Sequence, residues 1–204
     1  MHHFKGNFAE FKVPSYELTS PYELIFYLLL AVLCAFVGYI FIRVLYFSED
    51  LFDEKIKIPE YLKPVIGGVI IGALAIAFPQ IMGVGYESID NALHGRVLNT
   101  GYESFFGGNA IWVFAITLVF IKIFATSITL GSGGSGGIFA PSLFLGAMTG
   151  VFFGSIAHKF FPGVTSSPGA YALVAMGGLV AATTHAPITA MIIVFELTQD
   201  YRII

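Results

Sequence analysis

Residues 131–137 read Gly-Ser-Gly-Gly-Ser-Gly-Gly and separate two strongly apolar segments of the chain. Ile138 then opens an apolar segment of about twenty residues, which is the length of a membrane-spanning helix. The first backbone N–H groups of a helix have no partners within it, and the helix dipole adds partial positive charge there. Such an end attracts an anion without Lys or Arg, and oriented amides bind the ion weakly enough to release it. The pattern therefore predicts an anion site in a membrane transport protein.

The overall composition is typical of a membrane protein. Of the 204 residues, 56% are hydrophobic and 11% are charged, against about 25% charged in soluble domains. The net charge of −3 includes no basic block, which argues against nucleic acid as a partner. Cys34 is the one cysteine, so no disulfide framework is available, and we expect neither a metal site nor a cofactor.

Six apolar segments follow a polar lead segment, residues 1–20, which lacks the features of a signal peptide. They predict helices over residues 21–54, 64–78, 110–130, 138–156, 169–183 and 187–198. The first would be about 50 Å long, whereas the second, fifth and sixth would be shorter than a bilayer core of about 30 Å. Broken helices at membrane depth occur only where protein or a water-filled path surrounds them. We predict an all-α integral membrane fold of tilted and broken helices, in a channel or transporter.

Local signals refine these helices. Residues 20–23, Ser-Pro-Tyr-Glu, form a capping-box pattern, and Asn109 is a suitable N-cap for the third helix. Gly68 and Gly72 lie four residues apart and predict a close helix contact. A longer stripe, Gly146-Gly150-Gly154, predicts another in the fourth helix.

Lysines between the first two segments indicate the orientation of the chain. Lys55, Lys57 and Lys63 have no comparable group elsewhere in the sequence. Because positively charged loops remain in the cytoplasm, we predict that this loop is cytoplasmic.

Residues 133–143, Gly-Gly-Ser-Gly-Gly-Ile-Phe-Ala-Pro-Ser-Leu, carry a resemblance to a known family. They resemble the third anion-binding motif of the CLC family of chloride channels and chloride/proton exchangers. Residues 78–86, Phe-Pro-Gln-Ile-Met-Gly-Val-Gly-Tyr, resemble its Phe-Pro…Gly-x-Gly-Tyr passage. Residues 181–190 and 194–201 are similar to its penultimate pair of broken helices. The resemblance covers essentially the whole chain and implies the CLC inverted-repeat fold.

The resemblance also implies function, partners and location. It covers most of the second repeat only, so we expect a fragment of a subunit, which lacks the gating glutamate of the first repeat. The implied activity is chloride transport and not enzymatic catalysis. The implied partners are chloride, protons if the parent is an exchanger, the lipid bilayer and a second subunit in a homodimer. The implied location is the cell membrane, as a multi-pass protein.

Four residues match the family's central chloride site. The backbone N–H groups of its Ile-Phe pair contact chloride, which assigns Ile138 and Phe139 to this role by resemblance. Gly136 and Gly137 would let the backbone approach the ion. A glycine-rich hinge between two packed helices is the alternative that the residues alone leave open.

A second alternative is an enzyme. Residues 133–136 fit the Gly-x-Ser-Gly pattern of rhomboid-type intramembrane serine proteases, with Ser135 as nucleophile and His185 as base. The pattern is short in a chain with 23 glycines, and His185 adjoins a proline-marked break, where we expect it to cap the backbone.

Further polar or glycine-rich positions have simpler interpretations. Residues 83–86, Gly-Val-Gly-Tyr, predict a turn between broken helices rather than a potassium filter. Glu196 and Asp200 favour structural roles near a segment end over proton transfer. Lys122 is interpreted as a snorkelling lysine or an ion-pair member, and an anion-vestibule role has no support from the sequence.

Overall fold

The computed structural model describes residues 20–94 and 110–198, and over these ranges its regular structure is helical, with no strand. The α-helices of the described part are α1 (Glu23–Asp50), α2 (Lys63–Ala77), α3 (Tyr86–Leu93), α4 (Ala110–Gly131), α5 (Phe139–Phe160), α6 (Pro168–Thr184) and α7 (Pro187–Thr198). A π-helical turn, Leu51–Lys55, continues α1, and 3-10 turns occupy Glu60–Leu62 and Pro79–Ile81. The all-α prediction is confirmed. Asn109 and Asp200 lie outside the described residues.

Four helical stretches in the described ranges are long and apolar enough to cross a membrane: Glu23–Lys55, Glu60–Ala77, Ile111–Gly131 and Phe139–Phe160. The second segment was predicted to be shorter than a membrane span. The 3-10 turn before α2 lengthens this helical stretch to 18 residues, which is long enough to cross. Large apolar side chains on α1 and α2 remain exposed, such as Val69 and Ile76, as expected of surfaces that face lipid. The protein is a multi-pass integral membrane protein.

Two helix ends differ from their predictions. The capping box at 20–23 differs from its prediction, because the Ser20 hydroxyl oxygen accepts the N–H of Tyr22 at 3.4 Å, whereas the N–H of Glu23 donates to the Ser20 carbonyl at 3.0 Å. The buried Glu23 carboxylate accepts hydrogen bonds from the Ser166 backbone N–H at 2.9 Å and from the Tyr27 hydroxyl at 3.2 Å. The end of α5 also differs, because the helix continues four residues beyond the predicted residue 156. It ends before Phe161, since the proline that follows keeps the backbone of Phe161 out of the helical region.

The centre of the fold is the contact between α5 and α6. A Cβ atom added at Gly146 would lie 2.6 Å from the Ala175 carbonyl oxygen, and one at Gly150 would meet the backbone of Tyr171. A Cβ at Gly154 would lie 2.9 Å from the Tyr171 ring. The predicted glycine stripe is therefore confirmed as the surface on which the two helices touch.

The second predicted glycine face makes no close contact within residues 20–94 and 110–198. A Cβ added at Gly68 or Gly72 would meet no atom of these residues within 4 Å. Their neighbour Gly67 makes the close contact, against the side chain of Ser132 at the end of α4. Because successive helix residues are rotated by about 100°, one position decides which glycine faces the partner helix.

Candidate anion-binding site

The first half of the glycine-rich segment ends α4. The N–H of Gly134 donates to the Thr129 carbonyl at 2.8 Å, and the N–H of Gly133 donates to the Leu130 carbonyl at 3.0 Å. Gly133 has φ +85°, so this pair of bonds forms a Schellman motif with glycine in the left-handed position. A Cβ at Gly134 would lie 2.6 Å from the Thr129 carbonyl oxygen. Both glycines are thus explained by helix termination.

The second half of the segment leads into the N-terminus of α5. Ile138 is the N-cap, and its carbonyl accepts the N–H of Ser142 at 3.0 Å and the hydroxyl of Ser142 at 2.7 Å. Within residues 20–94 and 110–198, this N-cap residue makes no side-chain capping bond. Pro141 has no N–H, so the donors before the first intrahelical bond are those of Phe139 and Ala140 together with Ile138. These amides and the helix dipole make the end attractive to an anion.

A cavity of about 790 Å³ adjoins this helix end. Gly136, Gly137 and Phe139 line it, together with Ser135 and parts of α2 and α4. Ile138, the fourth residue that the sequence assigns to the site, is not among the lining residues. Its assigned role concerns its backbone amide. The structure thus brings three of the four predicted residues to one cavity, while their contact with chloride remains a prediction.

Gly136 and Gly137 differ from the glycines that end α4. Neither has φ in the left-handed region, so neither is required by its backbone conformation. A Cβ at Gly136 would lie 3.3 Å from Leu130, a contact that a small shift relieves, and a Cβ at Gly137 would meet no atom within 4 Å. Since Gly137 lines the cavity, its missing side chain keeps open the space beside the free amides.

A pair of hydroxyl groups fixes the N-terminus of α5 against α6. The Ser142 and Thr183 hydroxyl oxygens lie 3.0 Å apart, and because the Ser142 hydroxyl donates to the Ile138 carbonyl, the Thr183 hydroxyl is the donor between them. Ser142 and Thr183 are both buried. The helix end that carries the free amides is therefore anchored to its neighbour.

Lys122 is the residue whose role the sequence analysis missed. Its ammonium donates to the carbonyl oxygens of Ile81 and Gly83, each at 2.8 Å, and lies 5.0 Å from the centre of the Phe144 ring. The side chain is only 3% exposed and lines the cavity, so the snorkelling interpretation is wrong. The ion-pair interpretation has no support within residues 20–94 and 110–198. The sequence did contain a signal for a functional role, because Lys122 is the one charged residue in an otherwise uncharged membrane-spanning helix.

The Gly-Val-Gly-Tyr passage forms a turn, as predicted. Gly83 and Gly85 have φ of +59° and +79°, and they connect the 3-10 turn at Pro79–Ile81 to α3. A Cβ at Gly85 would lie 2.5 Å from the Phe144 ring. The turn therefore packs directly against α5, and Lys122 holds it there through the Gly83 carbonyl.

The residues of the protease alternative do not share a cavity wall. Ser135 lines the cavity beside α5, whereas His185 is not among its lining residues. His185 is the C-cap residue of α6 and has a left-handed backbone, with φ +55°. Glu196 occupies an exposed position in α7.

Comparison with known proteins identifies the family. The model of the voltage-gated chloride channel family matches residues 1–204, the whole chain. The chain belongs to this family, the CLC proteins. The protease alternative has no support beside it.

Individual relatives agree with this assignment. A putative chloride channel protein, ClcB-like, from Ralstonia nicotianae is 32% identical over 98% of this chain and 44% of its own length. Chloride channel protein CLC-f from Arabidopsis thaliana is 37% identical over 98% of this chain and 26% of its own length. The H(+)/Cl(-) exchange transporter ClcA from Vibrio cholerae is 36% identical over 98% of this chain and 40% of its own length. The chain thus spans less than half the length of these relatives.

Proposed function

We propose that this chain supplies a chloride-binding site to a transport pathway through the membrane. The observation that carries the proposal is the uncapped N-terminus of α5, whose free amides adjoin a cavity that Gly137 keeps open. The mechanism is partial dehydration of the anion, with backbone N–H groups replacing lost water. The names of the relatives, chloride channels and an H(+)/Cl(-) exchanger, agree with chloride as the ion.

One helix end replaces only part of the hydration shell of an anion. Ile138 and Phe139 are each more than a third exposed, so the site is open on one side. An ion that is incompletely coordinated in a low-dielectric surrounding is unstable by several kcal/mol. We therefore expect the 204-residue chain alone to bind chloride without conducting it, and further helices to complete the path. We expect this larger assembly to be a homodimer in the bilayer.

Transport is tested by placing this chain in the corresponding region of Vibrio cholerae ClcA, of which it covers 40%. Proteoliposomes of the chimera should release chloride when a potassium ionophore balances the charge, and Gly137→Ala should reduce this efflux. Proton movement driven by a chloride gradient would identify exchange, and its absence with retained efflux would identify a channel. If the chimera folds and its chloride efflux is unchanged by Gly137→Ala, the proposed site is contradicted.

A further inference from the structure

Two hydrogen bonds in series connect α6 with the peptide unit at which α5 begins. The Ser142 hydroxyl donates to the carbonyl of Ile138, the N-cap residue of α5, at 2.7 Å. The Ser142 hydroxyl oxygen lies 3.0 Å from that of Thr183 on α6. Both side chains are buried, with Ser142 at 0% and Thr183 at 7% exposure. We call this series of bonds the hydroxyl relay.

The direction of the relay follows from its geometry. Each hydroxyl has one proton, and Ser142 uses its own at the shorter of its two contacts, on the Ile138 carbonyl. The Thr183 hydroxyl also lies 3.0 Å from the Leu179 carbonyl and 3.2 Å from that of Val180. If its proton turned to either carbonyl, two buried hydroxyl oxygens would face each other with no proton between them, which is unfavourable. Thr183 therefore donates to Ser142.

The relay ends on the peptide unit that contains the Phe139 amide. Because a peptide unit is planar and trans, the Ile138 C=O bond and the Phe139 N–H bond point in opposite directions. The Ile138 carbonyl accepts both the N–H and the hydroxyl of Ser142, at 3.0 and 2.7 Å, so two bonds hold it along α5. The Phe139 N–H is consequently directed out of the helix end, and Phe139 lines the cavity there.

We propose that Thr183 is a positioning residue for chloride, which acts through Ser142 on the Phe139 amide. This inference rests on the proposed function and deepens it. The donors of the relay point the same way, from the Thr183 hydroxyl through Ser142 and the Ile138 carbonyl to the Phe139 N–H. Hydrogen bonds in such a chain polarise one another. The relay therefore directs the Phe139 N–H and also makes it a stronger donor to an anion.

The two branches of the Thr183 side chain face different helices, which allows their roles to be separated. The hydroxyl contacts Ser142 on α5, whereas the methyl group faces α1, since a Cβ added at Gly38 would lie 3.7 Å from it. Thr183→Val keeps a methyl group and removes the donor, while Thr183→Ser removes the methyl group and keeps the donor. A positioning role predicts weaker chloride binding in the valine variant only. A role in packing alone predicts weaker binding in the serine variant only.

Chloride titration of the 204-residue chain in micelles, against gluconate at constant ionic strength, tests the proposal through the Phe139 amide signal. Ser142→Ala removes a bond to the Ile138 carbonyl, so chloride should bind about two- to tenfold more weakly. Thr183→Val removes only the polarising donor, and we expect binding to weaken about twofold. Thr183→Ser should bind as the native chain does. Without chloride, the first two variants should also shift the carbonyl ¹³C signal of Ile138.

Thr184→Val is the matched control. The Thr184 hydroxyl donates to the Val180 carbonyl at 2.7 Å, within α6, and Thr184 is exposed. Its replacement should change neither the chloride affinity nor the Ile138 carbonyl signal. Thermal unfolding of each variant shows whether it folds, and Ser142→Ala tests the same relay if Thr183→Val does not.

The outcomes separate this inference from the proposed function. If the native Phe139 amide responds to chloride and the folded variants Thr183→Val and Ser142→Ala bind it equally well, the positioning role is overturned and the proposed function stands. Weaker binding in Thr183→Ser, with native binding in Thr183→Val, would overturn it too. If the native Phe139 amide does not respond to chloride, the proposed function fails, and the role of Thr183 fails with it.

Discussion

At the scale of single residues, Gly137 separates the proposed function from simple hinge behaviour. Glycines 133 and 134 are explained by the end of α4, through a left-handed backbone and a close carbonyl. Neither a left-handed backbone nor a close contact explains glycine at position 137. A side chain at this position would occupy the cavity beside the free amides. A hinge would tolerate alanine there, whereas an ion site would not.

Gly137→Ala is therefore expected to weaken chloride binding without unfolding the chain. The added methyl group would displace the ion from the helix end, and a displacement that loses one hydrogen bond to a charged group costs about 1.5–3 kcal/mol, so the chloride affinity should fall about tenfold or more. Isothermal titration calorimetry of the detergent-solubilised chain measures this directly. Ser135→Ala is the matched control, because it changes an exposed side chain on the same wall and keeps every amide. Equal affinities for the native chain and Gly137→Ala would favour the hinge.

At the scale of helices, the α5–α6 contact holds the anion-binding end in place. The glycine stripe lets the two backbones touch, and the Ser142–Thr183 pair locks the end nearest the cavity. Stability and site geometry are thus linked through the same pair of helices.

Gly150→Ala should destabilise the fold. Its new methyl group would meet the backbone of Tyr171 and Ala172, and overpacking of this kind costs about 1–3 kcal/mol. Gly68→Ala is the control, because it makes the same change inside a helix with no atom within 4 Å and should not destabilise. Thermal unfolding followed by fluorescence of Trp112 compares them. A melting temperature for Gly150→Ala at or above that of the native chain would show that the contact is looser than described.

The course of α1 determines which loops share a side of the membrane. The bond between Glu23 and Ser166 joins the start of α1 to the α5–α6 connection, and α1 then crosses to the lysine-containing loop. Residues 57 and 163 are consequently placed on opposite sides.

Cysteine labelling tests both this topology and its orientation. Lys57→Cys, in sealed cells, should resist an impermeant maleimide added outside, whereas Gly163→Cys should react, because we predict the lysine loop to be cytoplasmic. Both positions are exposed, and the native Cys34 is buried, so background labelling should be small. The reverse pattern would invert the orientation, and labelling of both from one side would contradict the crossing of α1.

The sequence predicts where helices begin and end better than it predicts which residues contact one another in the folded chain. Pro168 and Pro187 mark the starts of α6 and α7 because proline favours the first helical turn. The partners of Lys122 could not be read in this way, since Ile81 lies 41 residues before it and becomes adjacent only on folding. The choice between Gly67 and Gly68 likewise depends on where Ser132 lies.

At the scale of the whole molecule, the chain combines a firmly packed pair of helices with largely exposed outer ones. Of the eleven largest fully buried side chains in the described ranges, five lie on α5 and α6, whereas only 6% of the residues in the stretch containing α2 are buried. The candidate anion site lies where these two parts meet, since its cavity is lined by α2 and by the start of α5. We therefore expect chloride binding to depend on the assembled chain and not on the glycine-rich segment alone.

Amide chemical shifts test this account most directly. The chain, labelled with ¹⁵N at Gly, Ile and Phe and held in micelles, would be titrated with chloride against gluconate at constant ionic strength. We predict saturable shifts of the amides of Ile138 and Phe139, with smaller changes at Gly137, because these donors turn from water to the ion. Amides in the Gly146–Gly154 stripe, buried between α5 and α6, should not move. Saturable chloride shifts elsewhere, with Ile138 and Phe139 unchanged, would contradict the central claim.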